Sequence, residues 1–576
     1  MFSDKDNINI LTSLLTEYGV SDAVVCPGSR NAPIVHNLNE CASIRCHAVT
    51  DERSAGFMAM GMAIATGRPT VVCVTSGSAL LNVAPAAAEA FYQHVPLIVV
   101  SADRPQQWID QLDGQTLPQP NALQPFVRKA VSLPEPHNAE QRWHCNRLVN
   151  EALHAATLRM PAPVHINVPI TEPLFNFNVE CLPKERRFRL LEQLNILSEQ
   201  SELLEAFHAC KRPLIVIGQM AAGMLSPATM LSLMQHFVVF SEPLSNPLGC
   251  CLHFDEAIRL INNMGQTDAD AYCPDYIIYV GDTIVSKQAR QWLRRSAAPS
   301  CLITADAACT PDPIMTLTDI CECAADDIDL LLSSLCDDYD DSIDDNILAC
   351  PDGNEAEREA FCSRWQQLLT ACANHATAYV PEYSQMAAVK CLEEQIGSME
   401  LDVCTHYANS TAIRLACIYA GHYVWCNRGV NGIEGSLSTA AGFSIASDAT
   451  TVCVVGDLSF FYDQNALWNN DIDSRLRILL LNNSGGGIFE QLPGLNNSGA
   501  LQDYIEATHS TTAQGICSQC GIDYMAATDT EQMLQGITAL LSTEATRPML
   551  LEVFTDKNID AEVISKYYKQ NQQPAN

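Results

Sequence analysis

Short apolar runs, many of them rich in β-branched residues, recur along the whole chain between stretches of helical length. Continuous apolar strands that alternate with helices are typical of parallel sheets covered on both faces. The pattern therefore predicts an α/β fold with parallel sheets flanked by helices. The runs cover residues 71–74, 97–100, 214–217, 277–280, 452–455, 478–481 and 549–553.

Two changes in composition divide the chain into three predicted domains, 1–185, 186–350 and 351–576. A charged, proline-bearing stretch at 182–187 ends the first domain before a new strand at 214. The second boundary is acidic, with nine Asp and no Lys or Arg between residues 326 and 345. Its apolar residues allow a final helix followed by a solvated linker; a functional acidic arm is the alternative, and the sequence does not decide whether the segment is ordered. Residues 566–576 are expected to form a polar tail.

The charge balance excludes some classes of ligand. The chain has 33 Lys and Arg against 67 Asp and Glu, a formal net charge of −34. Such an excess of acid argues against binding to nucleic acid or to anionic membranes, because phosphates attract a surplus of cations. If the protein binds anionic ligands, its few cations must be concentrated at the site.

Hydrophobicity and cysteine content predict a cytoplasmic protein with packed cores. Hydrophobic residues make up 47% of the chain, yet no uncharged apolar run reaches the roughly 18 residues of a membrane span. We expect no membrane insertion and no secretory signal. The 25 cysteines are scattered, and are interpreted as reduced thiols rather than as a zinc site.

The most specific chemistry follows two predicted strands of the third domain. One strand ends in Gly456-Asp457, and the next ends in Asn482-Asn483 followed by a glycine-rich turn. Parallel strands end at one edge of the sheet, where ligands bind. The carboxylate of Asp457, the amide oxygen of Asn483 and the carbonyl of Gly485 are hard ligands that suit Mg²⁺, with Mn²⁺ also possible. Two ordinary strand-to-helix turns are the alternative interpretation of these two motifs.

A carboxylate also begins a helix in the first domain. Asp51 is a plausible N-cap, and Glu52 stands in the first turn, where an acid is favourable. An ordinary first-turn acid explains this placement, but it does not explain the uncharged helix at 55–66, which indicates burial.

The paired strand-end motifs resemble the signature of thiamin-diphosphate enzymes, although Leu458 follows Gly-Asp where many members have glycine or alanine. The resemblance implies pyrimidine-binding, central and diphosphate-binding domains. It also implies that Glu52 hydrogen-bonds the aminopyrimidine. In this family the cofactor lies between two chains, so we expect a homodimer or homotetramer in which Glu52 serves a site completed by Asp457 of its neighbour.

Further strings narrow the resemblance. They are residues 26–33, 50–53, 75–79, 101–105, 165–169, 409–410, 427–429, 432–435 and 488–489. In this order they closely resemble the MenD family, the 2-succinyl-5-enolpyruvyl-6-hydroxy-3-cyclohexene-1-carboxylate synthases of menaquinone biosynthesis. The resemblance implies decarboxylation of 2-oxoglutarate and 1,4-addition of the succinyl unit to isochorismate. Another thiamin-diphosphate-dependent 2-oxoacid decarboxylase or synthase, or an inactive binding protein on the same fold, remains an alternative.

Both implied substrates are dicarboxylates, which require several cations, and arginine pairs well with carboxylates. Taken singly, each such cation is more simply a surface salt bridge, but together they predict a pocket. By resemblance, Arg414 and Arg428 hold the succinyl carboxylate, and Ser410 lies near the junction. The group expected at isochorismate is Ser29, Arg30, Arg104 and Lys287, and Gln115 lies beside the reacting centre. Gln288, next to Lys287, stands where some relatives have a basic residue. The remaining expected cofactor contacts are Ile433, Leu458, Ser459, Gly485, Gly486, Ile488 and Phe489; for Ile433 and Phe489, core packing is an equal alternative.

Overall fold

The computed structural model describes residues 1–188, 202–248, 251–336, 354–399, 402–491 and 494–571. It contains one parallel sheet within each predicted domain, which confirms the α/β class. A helix at Ile328–Ser334 begins the acidic segment, as the apolar residues suggested. The rest of that segment, residues 337–345, and the proposed boundary near 350 lie outside the described residues. The domain limits themselves stay predictions.

The first sheet has six parallel strands in the order β3-β2-β4-β5-β7-β6, and β1 pairs antiparallel with β8 beside it. The strands are β1 Phe2–Ser3, β2 Asp22–Val25, β3 Arg45–Ala48, β4 Thr70–Val74, β5 Leu97–Asp103, β6 Lys129–Ser132, β7 Val164–Pro169 and β8 Phe177–Val179. The helices around them are Asp6–Glu17, Ala32–Glu40, Glu52–Thr66, Ser78–Asn82, Ala84–Tyr92 and Ala139–Thr157.

The central sheet has five parallel strands in the order β10-β9-β11-β12-β13. They are β9 Pro213–Ile217, β10 Val238–Ser241, β11 Tyr276–Val280, β12 Ser300–Thr304 and β13 Leu317–Glu322. The helices are Glu202–His208, Pro227–His236, Phe254–Ile261, Gln266–Asp270, Lys287–Ser296 and Ile328–Ser334, and the long helix Asn354–Ala378 follows.

The third sheet has six parallel strands in the order β15-β14-β16-β17-β19-β18. The strands are β14 Val403–Tyr407, β15 Val424–Trp425, β16 Thr450–Gly456, β17 Leu476–Asn482, β18 Asp523–Ala527 and β19 Met549–Phe554. The helices are Gln385–Gly397, Thr411–Tyr419, Ser436–Ala446, Asp457–Tyr462, Gln514–Cys520, Thr530–Leu540 and Lys557–Gln570. Because β16 and β17 are neighbours, the two motifs meet at one edge of the sheet, as predicted.

The last helix corrects the expectation of a polar tail. Residues 566–570 belong to the helix Lys557–Gln570, in which the Tyr567 side chain is fully buried. Two adjacent tyrosines supply enough apolar surface to dock this segment, and the many amides and charges around them obscured that signal. Among the described helices, none is long and apolar enough to cross a bilayer.

Two helices, one from the first domain and one from the third, pack at glycine. The helix Glu52–Thr66, which is uncharged from residue 55 onwards, is buried against Ser436–Ala446, as its composition suggested. A Cβ atom on Gly61 would lie 2.1 Å from the carbonyl oxygen of Thr439, and one on Gly442 would lie 2.1 Å from that of Met58. Only glycine permits backbones to approach this closely. The first and third domains of one chain are therefore tightly joined.

A buried histidine adds a polar contact between the same two domains. Nδ1 of His47 lies 2.9 Å from Oδ2 of Asp471 in the third domain, and Nε2 lies 3.2 Å from Oδ1 of Asp22 in the first. Burial alone would lower the pKa of His47, but the hydrogen bonds with Asp22 and Asp471 outweigh burial and raise that pKa.

His47→Gln is expected to lower the melting temperature by about 1–3 °C near pH 6 and to have little effect near pH 9. Because the pKa of His47 is raised in the folded protein, the protonated side chain contributes its full stabilisation below the unfolded pKa of about 6.5. This stabilisation is lost as the pH rises through the folded pKa. Thermal unfolding of both proteins across this range measures the difference. The exposed His137→Gln serves as control, and a difference that grows with pH would contradict the assignment.

Candidate functional site

Asp457 connects the two strand-end loops of the third sheet. Its carboxylate is buried; Oδ1 accepts a hydrogen bond from the Leu458 amide at 2.7 Å, and Oδ2 accepts one from the Gly485 amide at 2.9 Å. Burial raises the pKa of Asp457, although the amide donors oppose this. The position, first residue of the helix Asp457–Tyr462, places the carboxylate at the edge of the sheet.

Asn483 is oriented by an acid that the sequence did not indicate. Its Nδ2 donates to Oδ2 of Asp560 at 3.1 Å, and the same oxygen accepts from Thr555 Oγ1 at 2.7 Å. The other oxygen of Asp560 accepts from the Gln385 amide at 2.8 Å. Because the amide nitrogen is held by Asp560, the amide oxygen of Asn483 is directed away from it and is free to act as a ligand.

The donor set at this edge fits Mg²⁺ and a diphosphate. Asp457 and Asn483 supply a carboxylate and an amide oxygen, and Gly485, in the same loop as Asn483, donates its amide to Asp457. Nε2 of His509 is buried 3.4 Å from Oδ2 of Asp457 and makes no hydrogen bond with the residues that the structure describes, so it could still donate to or accept from a ligand beside the carboxylate. A hard cation with phosphate oxygens would use such capacity.

The remaining predicted cofactor contacts of the third domain surround this loop. Ser459 donates its hydroxyl to the carbonyl of Ile433, which joins two of the predicted residues. Ile433 is 46% exposed, so core packing within this chain does not account for it. Leu458 and Gly486 are half-buried, and Gly486 donates its amide to the carbonyl of Glu506 at 2.8 Å.

A cavity of about 500 Å³ opens between the central and third domains. Four predicted site residues line it: Lys287, Arg414, Ile488 and Phe489. We call this space the cation cavity. Residues that the sequence did not indicate complete its wall, among them Glu242, Asp255, Arg259, Ser286 and Tyr568.

Two cations of the cavity have no internal partner. Lys287 and Arg414 make neither an ion pair nor a side-chain hydrogen bond with any residue that the structure describes. Burial lowers the pKa of Arg414, and the positive charges of Arg428 and Arg259 add to this, although Tyr568 and Asp255 oppose it. Two cations that lack an ion-pair partner among the described residues favour an anionic ligand in this cavity.

Arg428 and Ser410 follow the strands β15 and β14, and neither of them is among the residues that line the cavity. Arg428 is buried and donates from Nη1 to Oδ1 of Asn409 at 3.0 Å. Ser410, at φ 73° and ψ −127°, occupies a backbone conformation that residues other than glycine rarely adopt. Backbone strain of this kind is concentrated at functional sites. The strain supports the prediction for Ser410.

The predicted residues of the first domain gather at the carboxyl edge of the first sheet. Arg30 is buried and donates to the Ile170 carbonyl and to Glu172, both at 3.1 Å. Arg104 donates from Nε to the Gly114 carbonyl at 3.2 Å and so holds the loop of Gln115. Ser29 and Gln115 are exposed. Glu52 is partly exposed and accepts from Nδ2 of Asn82 at 3.0 Å.

None of these five first-domain residues lines the cation cavity of the chain described. Asp51 caps the helix Glu52–Thr66, as expected, by accepting from the amides of Arg53 and Ser54. Within one chain, the structure therefore assembles two parts of the predicted site, at the first sheet and at the third.

Comparison with known proteins gives the family. The family model "Thiamine pyrophosphate enzyme, N-terminal TPP binding domain" matches residues 8–125, and "Thiamine pyrophosphate enzyme, C-terminal TPP binding domain" matches residues 406–553. The 2-succinyl-5-enolpyruvyl-6-hydroxy-3-cyclohexene-1-carboxylate synthase of Bacteroides thetaiotaomicron is 41% identical over 100% of both chains. The chain belongs to this synthase family. Proteins of the same name from Phocaeicola vulgatus and Flavobacterium johnsoniae are 40% and 32% identical, over 99% and 96% of both chains.

Family membership confirms the predicted class of enzyme. The two matched regions hold β2 to β5 and β14 to β19, the sheets whose carboxyl edges carry Glu52 and Asp457. As a member of this family, the chain is a thiamin-diphosphate-dependent enzyme that forms carbon–carbon bonds. Neither matched region extends into the central domain, which also contains none of the strings that carry the resemblance.

Sequence reasoning missed the acids that position the family's loops. Glu89 in the first domain accepts from the amides of Gly429 and Val430, each at 2.7 Å, and thereby fixes the loop after Arg428. Glu242 accepts from the amides of Val285 and Ser286, at the start of the helix that bears Lys287. Burial raises the pKa of Glu242 to about 7, although these amides oppose it.

A signal for one of these acids was available. Glu242 directly follows the strand β10, in the same kind of strand-end position as Asp457. Glu89 offers no comparable signal, since its partners are backbone amides 340 residues away along the chain.

Proposed function

We propose that this protein decarboxylates 2-oxoglutarate with thiamin diphosphate and adds the remaining succinyl unit to isochorismate by 1,4-addition. The product is 2-succinyl-5-enolpyruvyl-6-hydroxy-3-cyclohexene-1-carboxylate, an intermediate of menaquinone biosynthesis. The observation that carries the choice of substrates is the cation cavity. In a chain with a formal net charge of −34, Lys287 and Arg414 stand there without an ion-pair or hydrogen-bond partner among the residues described. Two dicarboxylate substrates would supply the missing charges.

Cofactor residues follow from the third-sheet loops. Thiamin diphosphate, when bound, supplies a carbon nucleophile and accepts the electron pair left by decarboxylation. Asp457, Asn483 and the Gly485 carbonyl would hold Mg²⁺, for which Mn²⁺ can substitute, and Gly486 would permit close approach of the diphosphate. Ile433, Leu458, Ser459, Ile488 and Phe489 would contact the cofactor. Glu52 would hold the proton at the pyrimidine nitrogen.

The substrate carboxylates are assigned to the arginines and their neighbours. Arg414 and Arg428, with Ser410 close by, would bind the carboxylate of 2-oxoglutarate that is retained. Lys287 would bind isochorismate together with Ser29, Arg30 and Arg104, and Gln115 would lie at the reacting centre. Because Arg104 holds the loop that carries Gln115, these two residues would act together.

The site would be shared between two chains, in a homodimer or homotetramer. Support comes from the placement of Glu52 and its first-domain neighbours, which do not line the cation cavity of their own chain. Exposed apolar side chains near the third-sheet loops, including Ile433, Tyr462 and Trp468, offer a surface for a second copy. A cytoplasmic location is part of the proposal and accords with the free thiols of the described cysteines.

One assay tests the proposed reaction. The protein is supplied with Mg²⁺, thiamin diphosphate, 2-oxoglutarate and isochorismate, and the loss of isochorismate absorbance is followed. Consumption that requires all four components is expected. Consumption with pyruvate but not with 2-oxoglutarate would instead indicate another 2-oxoacid decarboxylase or synthase. No consumption by folded, cofactor-loaded protein would refute the proposal.

A hybrid dimer tests whether two chains share the site. Glu52→Gln and Asp457→Ala are each expected to be inactive alone. When the two are co-expressed, about half of the dimers are hybrids with one intact site of two, so about a quarter of wild-type activity should return. Purification of the hybrid through two different tags isolates that activity. If both residues served one chain's own site, the hybrid would have no intact site and would stay inactive.

A further inference from the structure

The cation cavity contains a third positive charge that the proposed function leaves unassigned. Arg259 projects from the helix Phe254–Ile261 of the central domain and lines the cavity together with Lys287 and Arg414. Gln288, next to Lys287, also lines it but is uncharged. Arg259, one of the three cations that line the cavity, therefore lies on a helix that carries none of the predicted site residues.

Arg259 is held in one orientation by two contacts. Its Nε donates to Oδ2 of Asp255 at 2.9 Å, and its guanidinium carbon lies 3.9 Å from the centre of the Tyr568 ring. Asp255 is fixed in turn by the hydroxyl of Ser286. A guanidinium that stacks on an aromatic ring and donates from Nε is already ordered before a ligand arrives.

These two contacts do not involve the terminal nitrogens Nη1 and Nη2 of Arg259 in a hydrogen bond. Neither Nη1 nor Nη2 of Arg259 donates to any residue in the described part of the chain. Two parallel N–H groups of a guanidinium match the two oxygens of a carboxylate. An exposed i, i+4 ion pair would be the ordinary explanation of Arg259 and Asp255. That explanation does not account for the ring contact or for a side chain that is only 33% exposed inside a cavity.

In the described part of the chain, the acids that line the cavity do not accept a hydrogen bond from Nη1 or Nη2 of Arg259. Asp255 is engaged by Arg259 Nε and Ser286, and Glu242 accepts from the amides of Val285 and Ser286. Glu256 accepts from the hydroxyl of Tyr567 at 2.9 Å. Arg259 and Arg414 line the same cavity; burial is the main cause that lowers the pKa of Arg414, and repulsion from Arg259 adds to it, although Asp255 opposes both. A carboxylate bound by both groups would relieve that repulsion.

We infer that Arg259 acts with Arg414 to bind the carboxylate of 2-oxoglutarate that survives decarboxylation, and so selects a dicarboxylate over a monocarboxylate 2-oxoacid. This inference rests on the proposed function and assigns a specificity-determining residue to it. Asp255 and Tyr568 are positioning residues that act through Arg259.

The test compares 2-oxoglutarate with 2-oxovalerate, which has the same number of carbons but no second carboxylate. In Arg259→Gln, the ratio of kcat/KM for 2-oxoglutarate to kcat/KM for 2-oxovalerate should fall about 10–100-fold, as expected for a lost charged hydrogen bond. The KM for isochorismate should stay within about twofold. Arg294→Gln removes a cation of the same domain that does not line the cavity, and its ratio should equal that of the wild type.

The outcomes distinguish a failure of this inference from a failure of the proposed function on which it rests. If the wild-type protein does not consume 2-oxoglutarate, the proposed function fails. If the wild type is active and Arg259→Gln keeps the wild-type ratio, the inference alone is overturned. Should Arg259→Gln not fold, Arg259→Lys decides, because lysine keeps the charge beside Asp255 and Tyr568 but lacks the two parallel N–H groups. Its ratio should fall about 5-fold or more, and an unchanged ratio would contradict the inference.

Discussion

Replacement of Glu52 by glutamine is expected to lower turnover by about 10²–10⁴-fold, the usual contribution of a positioned acid or base. The carboxylate would hold the proton at the pyrimidine nitrogen, and an amide of the same size cannot exchange it. Because Glu52 would contact the pyrimidine and not the diphosphate, binding of thiamin diphosphate should survive, and calorimetric titration in the presence of Mg²⁺ would measure it.

The neighbouring acid provides the control for Glu52. Asp51 caps the same helix through Oδ1, and asparagine also supplies a capping oxygen. Asp51→Asn should therefore keep activity within about threefold of the wild type. Near-normal turnover of Glu52→Gln, or an equal loss in Asp51→Asn, would remove Glu52 from its assigned role.

Asp457→Ala is expected to weaken Mg²⁺-dependent binding of thiamin diphosphate by at least about 100-fold. A residue that only orients a metal ligand is worth about 10–100-fold in affinity, and Asp457 would contact the metal directly. The substitution also removes the acceptor of the Gly485 amide, so the loop that carries Asn483 and Gly485 loses a hydrogen bond that holds it in place. Titration of the cofactor at several Mg²⁺ concentrations measures both effects.

Asp560→Asn is the graded comparison for Asp457. Asp560 holds the amide nitrogen of Asn483, so its replacement should weaken cofactor binding less, by about 10–100-fold. If Asp457→Ala binds the cofactor with wild-type affinity and wild-type Mg²⁺ dependence, the third-sheet edge is not the diphosphate site.

Much of the fold follows from local pattern because parallel strands buried on both faces are continuous apolar runs. The strand ends could be placed for the same reason, and with them Asp457 and Asn483. Adjacency of β16 and β17 then brings the two motifs together. The helix behind Glu52 was identified by its lack of charge, which burial against a second helix explains.

What the sequence did not indicate depends on contacts between distant segments. Tyr568, in a stretch expected to be a polar tail, lies in the cavity wall against Arg259. Glu89 and Asp560 accept hydrogen bonds from backbone amides or from a side chain far away in sequence. Such contacts produce no periodic pattern along the chain. Arg259 stands within an ordinary amphipathic helix, where a charge four residues from an acid resembles a solvated pair.

The net charge illustrates the difference between surface and site. A balance of −34 predicts that any anion-binding cations are concentrated, yet it gives no position for them. The cation cavity brings together Lys287, Arg414 and Arg259 from two domains, which makes it the candidate position.

The central claim is that one site joins decarboxylation of 2-oxoglutarate to carbon–carbon bond formation with isochorismate. The most direct measurement uses 2-oxoglutarate labelled with ¹³C at every carbon and analyses the products by mass spectrometry. We predict labelled CO₂ and an isochorismate adduct that retains the other four labelled carbons, in equal amounts. Labelled CO₂ accompanied only by succinic semialdehyde, with isochorismate unchanged, would contradict the account.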